Sequence, residues 1–389
     1  MIKSIKGLNL KNKSVLLRID INSPIVERRV LDNPRFEASA RTIRYLIGKN
    51  AKITIIAHQG RKGGSDFLPL KQHAKILSKY TRKNIKYIDD LFGEKAKSAI
   101  CSLKQGETIL LKNVRSFKDE ENLNQSNYKE FCKLFDIYIN EAFSVSHRAQ
   151  GSLVLPPKYL ESYFGLEFEK ELKALDKLVK SKASSRIFIL GGSKTEDYFP
   201  IFQFLKNKNN KVLAAGILAN LFLIAKGYNL GYENKWLKEH GYFPLLPKLK
   251  RIYQKNKEQI ILPVDFGVGV NKIRLNRDLE EAPFKYKIYD IGKRTIELFK
   301  ENIKEADSIF MKGPLGFSEI PIFSTGTREI LACLAQKKHA LTILGGGHLT
   351  TTIKKYKIKG HFSYISLSGG ALIKYISGEK LPGIEAIKN

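Results

Sequence analysis

Cysteine is scarce, with three in 389 residues, at 101, 132 and 333, an odd number and none near another. That excludes a disulfide scaffold and a thiolate metal knuckle, and it reads as reduced thiols in a cytoplasmic protein. Long apolar runs are missing too. The longest, residues 212–225, covers 14 positions and includes Gly216 and Asn220, short of the ~18 that span a bilayer. The opening MIKSIKGLNLKNK is basic, without an apolar centre or a cleavage site, so no secretory leader and no membrane partner are expected. No long polar tract interrupts the chain, which excludes a disordered protein. Acidic residues are the last shortage: 38 Asp+Glu against 68 Lys+Arg leave a formal charge of +30. Such an excess admits nucleic acid or a small, highly anionic substrate. The lysines are scattered singly and in pairs, and no recognition motif accompanies them, so no nucleic-acid partner is expected.

What is present is ordinary core-forming material, 43% hydrophobic and 27% charged, in a length that suits two or three domains. Short apolar runs alternate with helix-length segments. Residues 14–19, 52–57, 108–111 and 137–140 read as buried strands, and so do 186–190, 211–215, 259–262, 308–311, 340–344 and 362–365. Nearly continuous β-branched runs of this kind indicate parallel sheets covered on both faces. Residues 38–49 show helical spacing, with Ala38, Thr42, Ile43, Leu46 and Ile47 on one stripe. The charged stretch 166–182 splits the strands into two groups. The expected fold class is therefore α/β: two Rossmann-like parallel-sheet lobes joined by an interdomain helix, with a cleft between them. Ligands of such sheets bind beyond the carboxyl ends of the strands, so the loops that follow each strand are the place to seek chemistry.

In the first group those loops carry Asp20, Asn22 and Arg35, then His58 and Arg61, then Arg115, then His147 and Arg148. A guanidinium offers a planar fork of donors matched to phosphate and carboxylate. One such arginine is usually a surface ion pair; four at equivalent strand ends suit a ligand with two or more anionic groups. Asp20 and Asn22 could bind a hydroxyl of the same molecule.

In the second group the strand ends are glycine-rich: Gly191-Gly192-Ser-Lys194, Lys312-Gly313-Pro314-Leu-Gly316, Gly345-Gly346-Gly347-His348 and Ser368-Gly369-Gly370. Glycine lets main chain approach a ligand closely, and the helix that follows presents unpaired N–H groups to phosphate. Lys194 could reach a transferring phosphoryl group. Neither GxxxxGK[ST] nor GxGxxG is present, which disfavours P-loop and dinucleotide readings. An anion-binding lobe and a nucleotide-binding lobe together indicate a phosphotransferase of the hinge-closing type.

From about residue 14 to 383 the sequence resembles the phosphoglycerate kinase family, archaeal branch. LRIDINSP, HQGR, NVRSF and NEAFSVSHR are similar to its substrate-side signatures. The resemblance implies that Asp20, Asn22, Arg35, His58, Arg61, Arg115 and Arg148 bind 3-phosphoglycerate or 1,3-bisphosphoglycerate. LGGSK resembles the family's GGAK turn, KGPLGFSE its NGPMGVFE, and GGGH and SGGA its last two glycine turns; DIGKRT and EKLPG match as well. By the same resemblance Gly191, Gly192, Lys194, Gly313, Pro314, Glu319, Gly345, Gly346, Gly347 and His348 bind ADP or ATP. Mg²⁺ would be held through the nucleotide phosphates with no protein metal site, and Arg35 and Lys194 would be catalytic. The implied division is a substrate domain over 1–165 plus 375–389, a helix over 166–182 and a nucleotide domain over 183–374, in a cytoplasmic monomer. The sequence departs from the family pattern at Tyr198, where a second lysine is often found four residues after Lys194. Lys312 replaces Asn, His348 replaces an Asp, Leu349 replaces Ser or Thr, Leu367 replaces Thr and Ser368 replaces Gly. These departures motivate an alternative: a degenerate family member without kinase activity, kept as a ligand-binding or scaffold protein.

Overall fold

The computed structural model describes residues 2–123, 125–180, 185–270 and 273–388. Its contacts divide the chain into two units, Met1–Lys173 with Gly378–Asn389, and Ala174–Ser377. The boundary falls inside the helix Leu166–Lys180. Residues 181 and 182, the expected end of that helix, lie outside the described residues, as do 183 and 184, where the nucleotide domain was expected to begin.

The first unit is built on a six-stranded parallel sheet in the order Ile85–Tyr87, Thr108–Leu110, Lys52–Ile56, Ser14–Ile19, Ile137–Glu141, Glu161–Phe164. Its central strands are buried almost throughout, which is why they read as unbroken apolar runs. Val15, Leu17, Ile53, Ile55 and Ile139 form the core with Phe36, Ile43 and Leu46 of the helix Pro34–Gly48. That helix starts four residues before the expected Ala38. Asn33 is the reason: its side chain accepts from Arg35 N at 3.0 Å, and Pro34 needs no donor in the first turn. The cap also fixes where Arg35 leaves the helix. At the other end of the sheet's span, Glu141 accepts from Glu167 N (2.9 Å) and Phe168 N (3.3 Å), capping the helix Leu166–Lys180. The segment Pro382–Lys388 belongs to this unit; Gly383 N donates to Ser146 O at 2.9 Å.

The second unit repeats the plan, with strands ordered Ile260–Ile261, Lys211–Ala214, Arg186–Leu190, Ser308–Lys312, Leu341–Gly345, Tyr364–Ser366, all parallel. Ile187, Ile189, Leu213, Ile309, Met311 and Leu344 meet Ile296, Phe299, Ile330 and Leu334 from the covering helices. A three-stranded antiparallel sheet, Ile273–Asp278, Asp265–Val270 and Ile288–Ile291, was not anticipated. The α/β class with two parallel sheets is as expected.

In each sheet the chain begins near the middle and winds outward in both directions. The reversal falls between Ser14–Ile19 and Ile137–Glu141 in the first unit, and between Arg186–Leu190 and Ser308–Lys312 in the second. Loops diverge at such a point and leave a crevice for a ligand. All three cysteines are free thiols, and burial pushes Cys132 up to about 12, well out of reach of reaction at neutral pH. No helix among the described residues is long and apolar enough to cross a membrane.

Candidate active site

In the first unit the reversal point is occupied by Asp20. Its Oδ2 receives Arg35 Nη1 from the capped helix and Ser144 Oγ from the loop after Ile137–Glu141, both in very short contacts. Its Oδ1 accepts from Asn22 N at 3.0 Å, and Asn22 Oδ1 accepts in turn from Gly60 N at 2.8 Å. Three strand-end loops are thereby tied together. Gly60 has φ +66°, and a Cβ there would lie 2.4 Å from Asp66 O, so only glycine closes this loop beneath Arg61. Arg115 joins from the next loop, donating from Nη1 to Gly60 O. Arg148 Nε donates to His147 Nε2 at 3.4 Å.

The electrostatics show that the expected arginines share one place. The buried His58 is held well below its usual pKa by desolvation first, then by Arg18, Arg115, Arg35 and Arg148. Burial likewise draws Arg115 down to about 10, with Arg18, Arg148 and Arg61 adding to the effect and Glu120 opposing it. The charges of Arg35, Arg115 and Arg148 are thus felt at His58, and that of the exposed Arg61 at Arg115. So many cations on one edge form a receptor for an anion.

One member of this cluster was missed. Arg18 sits inside the strand SVLLRI and is fully buried. Its Nε donates to Ser152 Oγ at 2.9 Å, and Ser152 Oγ donates to Glu120 Oε1 at 2.8 Å. Glu120 also accepts from Ser152 N (2.7 Å) and Tyr128 OH (3.1 Å). The far end of the guanidinium, Nη2, donates to His58 Nδ1 at 3.1 Å. Guanidinium cannot accept, so Nδ1 must, and the proton of His58 stands on Nε2. A charged residue in the middle of an otherwise apolar strand was the signal available.

In the second unit two glycine turns interlock at the reversal point. Gly191 N donates to Lys312 O at 2.9 Å; a Cβ on Gly191 would lie 2.2 Å from Pro314 O, and one on Gly313 (φ +78°) 2.4 Å from Gly191 O. Gly192 adjoins this pair, and Lys194 follows as an exposed residue opening the 3-10 stretch Thr195–Lys206. After Leu341–Gly345 the chain turns at Gly346 (φ +107°) into the helix Gly347–Lys355. His348 in its first turn meets Glu319, Nδ1 to Oε1 at 3.1 Å, so two expected nucleotide residues are brought together. The structure also pairs Lys312 Nζ with Asp197 Oδ2 at 3.3 Å.

Comparison with known proteins agrees with this layout. The family model described as phosphoglycerate kinase matches residues 5–379. The chain belongs to the phosphoglycerate kinase family. A phosphoglycerate kinase of Sulfurisphaera tokodaii is 39% identical over 99% of this chain and 95% of its own length. One of Archaeoglobus fulgidus is 37% identical over 100% and 96%. Among solved structures, the Pyrococcus horikoshii OT3 phosphoglycerate kinase superposes with a TM-score of 0.93 at 35% identity, covering 100% of this chain and 98% of its own. That of Coxiella burnetii gives 0.82 at 28% identity, covering 100% and 99%.

Several departures from the phosphoglycerate kinase pattern can then be placed. Leu349 is fully buried in the apolar core of the second unit, so its side chain faces no ligand. Ser368 is buried, and its N–H donates to Ser366 Oγ at 3.0 Å. Tyr198 is buried and its hydroxyl donates to Gly191 O and to Lys312 O (3.2 Å), bracing the interlocked turns. For magnesium, the carboxylates on the glycine-side loops are Glu196, Asp197 and Glu319, and among the described residues no three His, Cys, Asp or Glu cluster as a metal site. Hard-oxygen donors that form no closed cluster fit an ion that arrives on phosphate oxygens and keeps its waters.

Proposed function

We propose that this chain catalyses the reversible transfer of a phosphoryl group between C1 of 1,3-bisphosphoglycerate and ADP, giving 3-phosphoglycerate and ATP, a step of glycolysis and gluconeogenesis. The observation that carries this reading is that Arg35, Arg115 and Arg148 act together on the buried His58, with Arg61 acting on Arg115, at the reversal point of one sheet, in a chain of this family.

In this reading the first unit is the substrate domain. Arg61, Arg115 and Arg148 neutralise the 3-phosphate while His58 donates a neutral hydrogen bond from Nε2, and Asp20 and Asn22 orient the glycerate. The second unit is the nucleotide domain. Gly191, Gly192, Gly313, Pro314 and Gly345–Gly347 bring bare main chain against ADP or ATP, and Glu319 with His348 takes the ribose side. Mg²⁺ would be carried on the nucleotide phosphates and would supply charge neutralisation, with Glu196, Asp197 and Glu319 as the carboxylates the glycine-side loops could offer it.

Phosphoryl transfer needs little covalent help. It needs in-line positioning and positive charge around the equatorial oxygens, and Arg35 and Lys194 are assigned that role. Closure of the two domains over their ligands would exclude water and limit hydrolysis of the acyl phosphate. A cytoplasmic monomer completes the proposal.

A coupled assay with purified protein, ATP, Mg²⁺ and 3-phosphoglycerate tests it. Turnover is expected; none at millimolar substrates would return the chain to the degenerate reading.

A further inference from the structure

Lys312 ends a central strand of the second sheet, beside the point where the winding reverses, and only 7% of it is exposed. Burying an ammonium is costly unless good partners replace its water. Here there is one carboxylate, Asp197, at 3.3 Å and itself 37% exposed. The other neighbour is the ring of Tyr198, whose centroid lies 5.2 Å from Nζ. Burial lowers the proton affinity of Lys312, Asp197 opposes this, and the charge of Lys194 adds to the lowering, so the two lysines feel each other. A single-point contact to a half-solvated carboxylate is a weak return for that desolvation. A polyanion would be a strong one.

Tyr198 itself cannot serve a phosphate. Its hydroxyl proton is committed to the carbonyls of Gly191 and Lys312. Position 198 is where the family resemblance leads one to look for a second lysine, and the structure sets an ammonium over that position from the neighbouring strand. The two departures, Tyr198 and Lys312, therefore meet in the fold.

We propose that Lys312 is a phosphate-binding residue of the nucleotide site: its ammonium leaves Asp197 for a terminal phosphate oxygen of ADP or ATP and supplies the second cation beside Lys194. This inference rests on the phosphoglycerate kinase reading and assigns to that site a residue at which the sequence departs from the family pattern.

The test uses the full chain in three forms, K312M, K312R and the double variant Y198K/K312N. ADP binding is measured by calorimetry without 3-phosphoglycerate, alongside kcat, both KM values and the thermal midpoint. Methionine keeps the buried stem, and the partner it leaves behind, Asp197, is 37% exposed and stays hydrated, so no buried charge is stranded. K312M is expected to weaken ADP binding about tenfold or more and to raise KM for ATP. Its KM for 3-phosphoglycerate should stay within about twofold and its thermal midpoint should hold. K312R should retain most of the affinity, and Y198K/K312N should regain a large part of the loss. Unchanged ADP binding in K312M, or a lowered midpoint with intact affinity, would overturn the proposal and leave a structural ion pair. If the unsubstituted protein turns over no 3-phosphoglycerate while ADP binding still depends on Lys312, the kinase reading fails and this contact stands.

Discussion

Arg18 Nη2 lies 3.1 Å from His58 Nδ1, and this contact determines which side of the imidazole is free to act. A histidine among four arginines looks, in a sequence, like a fifth cation. In the structure it is a neutral ring with Nδ1 occupied and its proton on Nε2, held so by burial and by the surrounding guanidinium charges.

That assignment predicts a pH profile. His58→Gln keeps an N–H donor near the position of Nε2, whereas His58→Leu removes it. Loss of a hydrogen bond to a charged group should raise KM for 3-phosphoglycerate about tenfold or more in the Leu variant and by much less in the Gln variant. The ratio of parent to Gln-variant KM should be the same at pH 6 and pH 8. A parent affinity that rises selectively on acidification through 6.5 would mean that His58 binds as a cation.

Glu120 should be a stability residue first. It is fully buried and is the carboxylate facing Arg18 through Ser152. Glu120→Gln leaves a buried guanidinium without its counter-charge, a loss of about 3 kcal/mol, readable as a lower denaturant midpoint at unchanged m-value. A loss under ~1 kcal/mol would show that Ser152 and the Ile19 carbonyl, to which Arg18 Nη1 donates, suffice to hold Arg18.

Lys194 makes the opposite prediction. It is exposed at the head of its loop, so Lys194→Ala should leave the unfolding curve within about 0.5 kcal/mol. Turnover should fall by at least about tenfold, roughly 1.4 kcal/mol of barrier. A smaller fall in kcat would remove Lys194 from the transferring group.

His73 supplies a pH-dependence of stability. Burial takes its pKa from 6.5 to about 4, and Nε2 bonds Gln59 Oε1 at 2.9 Å. A depressed folded pKa gives stability that is whole above the unfolded value and is lost as pH falls from 6.5 towards 4. Across that window the loss is about 3 kcal/mol. Glu141 and Asp290, raised by burial to about 7 and about 6, act with the opposite sign as pH rises, so the parent curve alone is a poor readout. The difference between parent and His73→Gln isolates the effect; parallel curves from pH 7 to pH 4 would contradict it.

The strand ends were legible in the sequence because a doubly covered parallel strand has no polar face, and its run of apolar residues ends where its functional loop begins. Asp20, His58, Gly191 and Gly345 could be placed in that way. The antiparallel sheet was not legible. Strand Ile273–Asp278 has no buried position, and only Ile273 and Leu275 of its residues are apolar, so it carries no apolar run. The edge strands Ile85–Tyr87 and Glu161–Phe164 were too short to stand out from their surroundings. Arg18 was visible as a residue but not as part of the site, because Glu120 and Ser152 lie more than a hundred positions away. The same holds for Lys312 over Tyr198. Their meeting depends on two strands that are neighbours in the sheet and distant in the chain.

Gly383 packs where a Cβ would lie 2.8 Å from Ser146 Oγ, and its carbonyl accepts from Asn140 Nδ2 at 3.3 Å. The loop that carries Ser144 and Arg148 is therefore braced by a stretch translated only after every strand of the second sheet. On the ribosome, the arginine-bearing half must wait, its floor unsealed, until its glycine-bearing counterpart has been synthesised. Long-range closure of this sort adds little to the equilibrium cost, since each doubling of loop length adds only ~0.6 kcal/mol, but it sets the order of events. The half that carries the arginines becomes complete last.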